Sequence, residues 1–324
     1  MKSIGKFLKR NRNIVLSYFA MIILLIVVSI IRPGFGLGSV NGLRSILFEA
    51  ALVGLVSIGQ TFVILTGGID LSLPWIITGS AVILTILTQG QNAPALWAIP
   101  LVLVLCLLVG FINGIGIDKF EIPPPIMTLG MNAVLLGAIT GISSGNAAIQ
   151  GSYGKPPLFI RELSRGAIGN IPNLFLILIV LGILVSIVLS YSIFGRRLYA
   201  LGTNKTVSLF SGVNVSRINV MVYMLSGFFG GIAGILMAGK VGQAYLGMGD
   251  PYLFTSVAAV VIGGANILGG SGHIIGTIGG ALTLAVLTAT IPVLDLPLAF
   301  QYVIYGLVVL IMVYISTAHK KREY

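Results

Sequence analysis

Apolar runs long enough to cross a bilayer recur from one end of the 324-residue chain to the other. A spanning helix needs roughly 20 such residues for about 30 Å of hydrocarbon. Ten segments are candidates: 13–31, 46–66, 71–89, 95–117, 126–144, 172–194, 218–239, 253–264, 274–291 and 297–316. The eighth is short, so it either crosses incompletely or extends through the polar loop before it. Charged residues make up only 8% of the chain against 56% hydrophobic, where a soluble domain carries about 25% charged. No water-facing shell can be assembled from so few, and lipid must be the main solvent. The chain is therefore expected to be all-α: a polytopic membrane protein of about ten transmembrane helices, forming one domain over residues 1–324. The run 13–31 is too long for a signal-peptide core and IIRPGFG lacks a small-x-small cleavage site, so it reads as a retained span.

The net charge of +11 comes from 19 Lys and Arg against 8 Asp and Glu. In a soluble protein that excess would raise the question of nucleic acid. Here the cations cluster between apolar runs and no base-stacking pattern accompanies them, so they report orientation and no nucleic-acid partner is expected. With the N-terminus inside, thirteen of the 19 fall in cytoplasmic segments and six outside. Both termini are then cytoplasmic by the positive-inside rule.

Two apolar segments are broken by glycine and followed by a polar side chain. At 63–74 (VILTGGIDLSLP) Gly67 and Gly68 precede Asp70; at 260–271 (VVIGGANILGGS) Gly263 and Gly264 precede Asn266, 196 residues further on. At this offset the first four spans fall on the last four in the same direction. A parallel internal repeat is expected, with 13–144 as the first half and 172–316 as the second; an inverted repeat would reverse the direction. Asp70 is read either as a cap of a helix starting at Leu71, taking backbone donors near Ser72 and Leu73, or as a proton or ion site. The cap is favoured, because Asn266 can cap but cannot titrate.

Neutral polar groups recur at helical spacing: Ser57 and Thr61 with Gln60 beside them, Thr128 and Asn132, Gln301 and Tyr305. Such i, i+4 pairs suit a passage for a neutral polyol and suit interhelical packing equally well. Glu49 is a weaker candidate at the outer mouth. The segment 195–217 (GRRLYALGTNKTVSLFSGVNVSR) is the longest basic stretch between spans. Gly202 and Gly212 bracket Thr203 to Ser211, a short helix with Asn204 near its start. As a connector it would simply lie at the headgroups. Its Leu201, Val207, Leu209 and Phe210 exceed what a connector needs, which favours docking of a cytoplasmic partner.

The chain has no GxxxxGK[ST] phosphate cradle, no HExxH and no paired-cysteine metal site. Cys106 sits mid-run as an apolar filler. Neither His273 nor His319 lies near a nucleophile with a carboxylate. An enzyme is not expected, nor a cofactor or a metal.

Three stretches, TFVILTGGIDLSLP, GRRLYALGTNKTVSLFSGVNVSR and SVAAVVIGGANILGGSGHIIGTIGGAL, resemble the ribose-type sugar permeases of bacterial ABC importers. The resemblance runs from the first span to the tenth. It implies an inner-membrane (plasma-membrane) subunit that pairs with a second permease, identical or homologous. It also implies a cytoplasmic ABC ATPase partner, supplying two ATPase domains, and an extracytoplasmic sugar-binding protein. ATP hydrolysis then belongs to the partners, and the substrate is a monosaccharide. The segment 195–217 is implied as the ATPase coupling contact, through Arg196, Arg197, Asn204, Lys205, Val207, Leu209 and Phe210. The solute pathway is implied at the permease–permease interface. The chain has Asn204-Lys205-Thr206-Val207 where the family usually has Asn-Glu-Ala-Ala, a departure that fits one member of a heteromeric pair. It has Pro74 where glycine is usual, which the first turn of a helix tolerates. Competing expectations are a proton-coupled secondary transporter, a branched-chain amino-acid permease and a membrane scaffold.

Overall fold

The apolar runs become helices, joined mostly by glycine-rich or hydroxyl-capped turns. The computed structural model describes residues 12–31, 35–144 and 154–293, with a few positions between 297 and 310. Its helices are α1 (Arg12–Ile31), α2 (Val40–Leu65), α3 (Leu73–Thr88), α4 (Ala95–Lys119), α5 (Pro124–Ser144), α6 (Leu158–Arg165), α7 (Asn173–Tyr191), α8 (Ile193–Thr203), α9 (Lys205–Phe210), α10 (Val215–Val241), α11 (Tyr252–Ile262) and α12 (Ile274–Val293). A 3-10 turn, Gly36–Gly38, precedes α2. Two-residue strands β1 (Ala167–Ile168) and β2 (Ile171–Pro172) pair antiparallel and are the only strands among the described residues. The chain is an all-α, multi-pass membrane protein.

Seven helices among the described residues are long and apolar enough to cross a membrane: α1, α2, α4, α5, α7, α10 and α12. The segments expected at 71–89 and 253–264 are α3 and α11, with 16 and 11 residues. At 1.5 Å per residue they reach about 24 and 16 Å, short of the roughly 30 Å hydrocarbon core. Each is cut short by the glycine-broken loop beside it. Of the expected span 297–316 only scattered positions up to 310 are described, and most of it lies outside the described residues.

The centre is α2. Every residue from Ala50 to Leu65 is buried, the pattern of a helix enclosed on all sides by others. It packs on α10, α11, α12 and α7, while α1 packs on α12 and α5 on α3 and α4. Helices α4 and α10 cross in close contact. A side chain at Gly110 would overlap the Tyr223 carbonyl, and one at Gly227 would overlap the Cys106 carbonyl. With Gly114 and Gly231 these form facing small-residue stripes four residues apart, which let two backbones approach where hydrophobicity gives no drive. Cys106 is buried in this contact and free, as the filler reading expected. Outward faces of α1, α4, α5 and α7 expose Phe19, Leu108, Val134 and Val180, surfaces suited to lipid rather than water.

The two ends of the bundle differ. At one end lie α8, α9 and the two glycine-broken loops. At the other, Arg165 donates from Nε to the Lys240 carbonyl at 2.9 Å. There Lys240 pairs with Glu49 at 3.6 Å, and Arg44 and Lys240 both stand over the Phe48 ring.

Candidate functional site

The first break begins where α2 ends. Gly67 adopts φ +82°, its amide bonds the Ile64 carbonyl at 2.9 Å, and the Gly68 amide bonds the Val63 carbonyl at 3.1 Å. This is a Schellman ending, whose left-handed residue favours glycine. Beyond it Asp70 is buried. Its Oδ1 accepts from the Ser72 amide at 3.0 Å and the Ser72 hydroxyl at 2.6 Å; its Oδ2 accepts from the Ser226 hydroxyl of α10 at 2.7 Å. Asn113 of α4 donates to Ser72 Oγ at 2.9 Å. The Gln60 amide, turned with its nitrogen toward the Asp70 carbonyl, bonds both backbone groups of Asp70 at 3.2 Å. Thr128 of α5 donates to the Ile69 carbonyl at 3.3 Å.

Asp70 thus takes its bonds from hydroxyls and an amide, and holds α3, α4 and α10 around the break. It is not itself the N-cap. Helix α3 starts at Leu73, not Leu71, with Ser72 at the N-cap position, so the carboxylate acts one step earlier, through an Asx turn onto Ser72.

The second break repeats this construction. The Gly264 amide bonds the Val261 carbonyl at 2.9 Å and the Ala265 amide bonds the Val260 carbonyl at 3.2 Å, with Gly264 at φ +88°. Asn266 Oδ1 accepts from the Leu268 amide at 3.1 Å, the same turn that Asp70 makes onto Ser72. The helix endings are one residue out of register with the sequence alignment. The left-handed glycine is Gly67 in the first break and Gly264, not Gly263, in the second, because the second loop is one residue shorter before its Asx turn.

The two breaks touch. The Gly270 amide donates to the Leu65 carbonyl at 3.0 Å, and Gly67 lies against the Leu268 carbonyl. The sequence reading missed Gly269 and Gly270, at φ +93° and +81°; their signal was the GGSG run that follows Asn266. It also missed Tyr199, whose hydroxyl donates to the Gly272 carbonyl at 2.7 Å.

The segment 195–217 folds as α8 and α9 leading into α10. Ser192 Oγ caps α8 through the Gly195 amide at 3.0 Å; Asn204 Oδ1 caps α9 through Val207 at 3.0 Å; Asn214 Oδ1 caps α10 through Arg217 at 2.9 Å. The short helix read between Gly202 and Gly212 is therefore α9. Arg196 Nη1 donates to the Tyr191 carbonyl at 3.1 Å, and Arg197 and Lys205 are exposed. Val207, Leu209 and Phe210 present apolar side chains outward, Phe210 at 85% exposure.

A cavity of about 480 Å³ opens between the first break, the α4–α5 connector and α8–α9. It is bordered by Gly67, Gly68, Glu121, Lys205, Asn219 and Tyr223. The Tyr223 hydroxyl is buried without a hydrogen-bond partner among the described residues.

The polar seams fall in two places. Ser57, Gln60 and Thr61 are buried inside the bundle. Ser57 donates to the Ser256 carbonyl at 3.3 Å, and the Thr61 and Thr277 hydroxyls meet at 2.9 Å, joining α2 to α11 and α12. Thr128 and Asn132 lie on α5, and the side-chain oxygen of Asn132 is buried and unpaired. Gln301, Tyr305 and His319 lie outside the described residues. Among the described residues no group of three His, Cys, Asp or Glu could hold a metal.

The helical bundle thus has several apolar crossings and two glycine-broken loops that meet at one end. Residues 42–313 match the family described as "Branched-chain amino acid transport system / permease component", and the chain belongs to that family. It is similar to the ribose import permease protein RbsC of Bacillus subtilis, 35% identical over 91% of this chain and 90% of that one. It resembles the ribose import permease protein RbsC of Haemophilus influenzae at 32%, over 96% and 94%. With the fructose import permease protein FrcC of Rhizobium meliloti the identity is 32%, over 92% and 84%. No solved structure matches the chain.

Proposed function

We propose that this chain is the membrane-spanning permease subunit of an ABC importer that carries a pentose- or hexose-like monosaccharide across the bacterial inner membrane. Partner subunits bind and hydrolyse the ATP; this chain supplies the moving conduit. The observation that carries the reading is the similarity to ribose and fructose import permeases along more than nine-tenths of the chain. The full assembly is this chain with a second permease, identical or homologous, two ATPase domains below the bilayer and an extracytoplasmic sugar-binding protein above it.

The distribution of Lys and Arg supports cytoplasmic termini, and with them a cytoplasmic α8–α9 end. The single domain would then hold ten membrane segments in two parallel halves, 13–144 and 172–316. The shared Schellman ending and Asx turn of the two breaks support that repeat. The exposed apolar side chains of α9, with Arg196, Arg197, Asn204 and Lys205 around them, form the ATPase contact. Ser57, Gln60 and Thr61 hold helices together, whereas Thr128 and Asn132 on peripheral α5 are the described seam residues assigned to the solute route, and Gln301 and Tyr305 are assigned to it from their sequence spacing alone. Binding along that route is weak, since a tight site would retain the sugar.

The test is uptake of labelled ribose, fructose and galactose in cells carrying the full set of partner genes. Sugar uptake that survives collapse of the proton gradient, and vanishes when the partner ATPase is inactivated, is expected. Uptake that collapses with the gradient while ATP stays high would replace this reading with a proton-coupled one. The family description favours a second reading, a branched-chain amino-acid permease, and leucine, isoleucine and valine in the same panel decide it.

A further inference from the structure

Helix α8 is fastened to the membrane helices where the two breaks meet, and the fastening runs through backbone. Gly202, in the last turn of α8, sits so close that a methyl group in its place would overlap the Leu65 carbonyl oxygen and press on the Gly270 amide nitrogen. Those two atoms are hydrogen-bonded to each other at 3.0 Å. One turn earlier, Tyr199 reaches the Gly272 carbonyl at 2.7 Å. A side chain on Gly270 would in turn meet the Thr203 backbone at 3.0 Å. Three stretches far apart in sequence, the end of α2, the loop 263–273 and the end of α8, thus share one point of contact.

We infer that Gly202 is a positioning residue for transport: it makes α8, the end of α2 and the loop 263–273 one rigid unit, so that a displacement imposed on α9 reaches both breaks together. Rotating side chains absorb small shifts; carbonyl and amide groups packed on a glycine do not, and close-packed interiors pass such strain on. An arm joined to only one break would tilt one half of the bundle against the other. An arm joined to both moves them in step. The inference rests on the reading of α8–α9 as the ATPase contact.

The experiment uses the complete transporter in lipid nanodiscs, with Cys106→Ala removing the native thiol. Spin labels are placed at Ala200→Cys with His273→Cys, across the junction, and at Ala200→Cys with Lys119→Cys as reference. Distances are read by pulsed electron resonance without nucleotide and with ATP trapped by a hydrolysis-deficient ATPase. The junction distance is expected to hold within about 1 Å while the reference distance changes by more. A junction pair that moves as far as the reference overturns the proposal, and so does a reference pair that stays fixed, since nothing is then transmitted. Gly202→Ala is expected to keep ATPase co-purification and ATP hydrolysis while sugar uptake falls about tenfold or more. Normal uptake by that variant overturns the proposal as well. Should Gly202→Ala not assemble, the distances in the chain with Gly202 intact decide alone. If the unsubstituted chain captures no ATPase, the functional reading fails and takes the inference with it; if it does and the junction pair moves, only the inference fails.

Discussion

Ser226 of α10 donates its hydroxyl to the buried Asp70 Oδ2 at 2.7 Å, joining that helix to the first break. The second carboxylate oxygen takes the amide and hydroxyl of Ser72, so every bond to Asp70 comes from a neutral donor. An asparagine keeps an oxygen for Ser72 and turns its amide toward Ser226, whose hydroxyl can rotate to accept. Asp70→Asn is therefore expected to retain substantial uptake. Asp70→Leu orphans buried donors at about 1–3 kcal/mol each and is expected to lower both the unfolding midpoint in detergent and uptake at matched expression. Complete loss in a normally expressed Asp70→Asn would assign the carboxylate a titrating role.

At 85% exposure Phe210 contributes little to the fold of the isolated chain. Phe210→Ala should leave the unfolding midpoint unchanged while ATPase co-purification falls about tenfold, the loss usual for an aromatic anchor. Lys205→Glu makes a sharper case. Lys205 is the first residue of α9, where a negative charge stabilises the helix by about 0.3–1 kcal/mol. Lost ATPase binding in that variant cannot then be blamed on a melted helix. Unchanged assembly and uptake in both variants would remove the coupling assignment.

The 2.9 Å contact between Thr61 and Thr277 separates packing from passage. Thr61→Val removes it and should cost about 0.6 kcal/mol, up to 1.7, seen as a lowered unfolding midpoint, while the KM for sugar stays constant. A changed KM with unchanged stability would put Thr61 on the solute route.

Two glycines make a matched pair for mutagenesis. A side chain on Gly227 would overlap the Cys106 carbonyl, whereas one on Gly130 of α5 would meet nothing within 4 Å. Gly227→Leu is expected to prevent accumulation of folded protein in the membrane. Gly130→Ala should fold normally and gain about 0.5–1 kcal/mol from helix propensity, measured by thermal unfolding of the purified subunit.

Features that depend on neighbouring residues were legible in the sequence. The Gly67-Gly68 break, the Asn204 cap and the glycine-bracketed α9 follow from local backbone chemistry, and structure and sequence agree on them within a residue or two. Features that depend on contact between distant segments were not. Nothing in the composition of 195–217 distinguishes Gly202 from Gly212, yet Gly212 ends α9 at φ +76° while Gly202 is small because Leu65 and Gly270 stand against it. Register failed for a related reason. Pairing Gly67 with Gly263 keeps Asp70 and Asn266 aligned but misplaces the helix ending, because sequence spacing cannot tell which of two adjacent glycines turns left-handed. The polar seam of α2 was readable as a face but not as an address, since passage and packing ask for the same side chains.

The shortness of α11 bears on how the chain is made. At about 16 Å it cannot anchor itself across a 30 Å core, and its final carbonyls find their partners in its own Schellman turn, wrapped by α2 and α12 rather than by water. A newly synthesised chain that paused after Ile262 would hold a half-inserted stub with no stable resting depth. Its place in the bundle is therefore set by α2 and α12, which pack against it, and not by its own length.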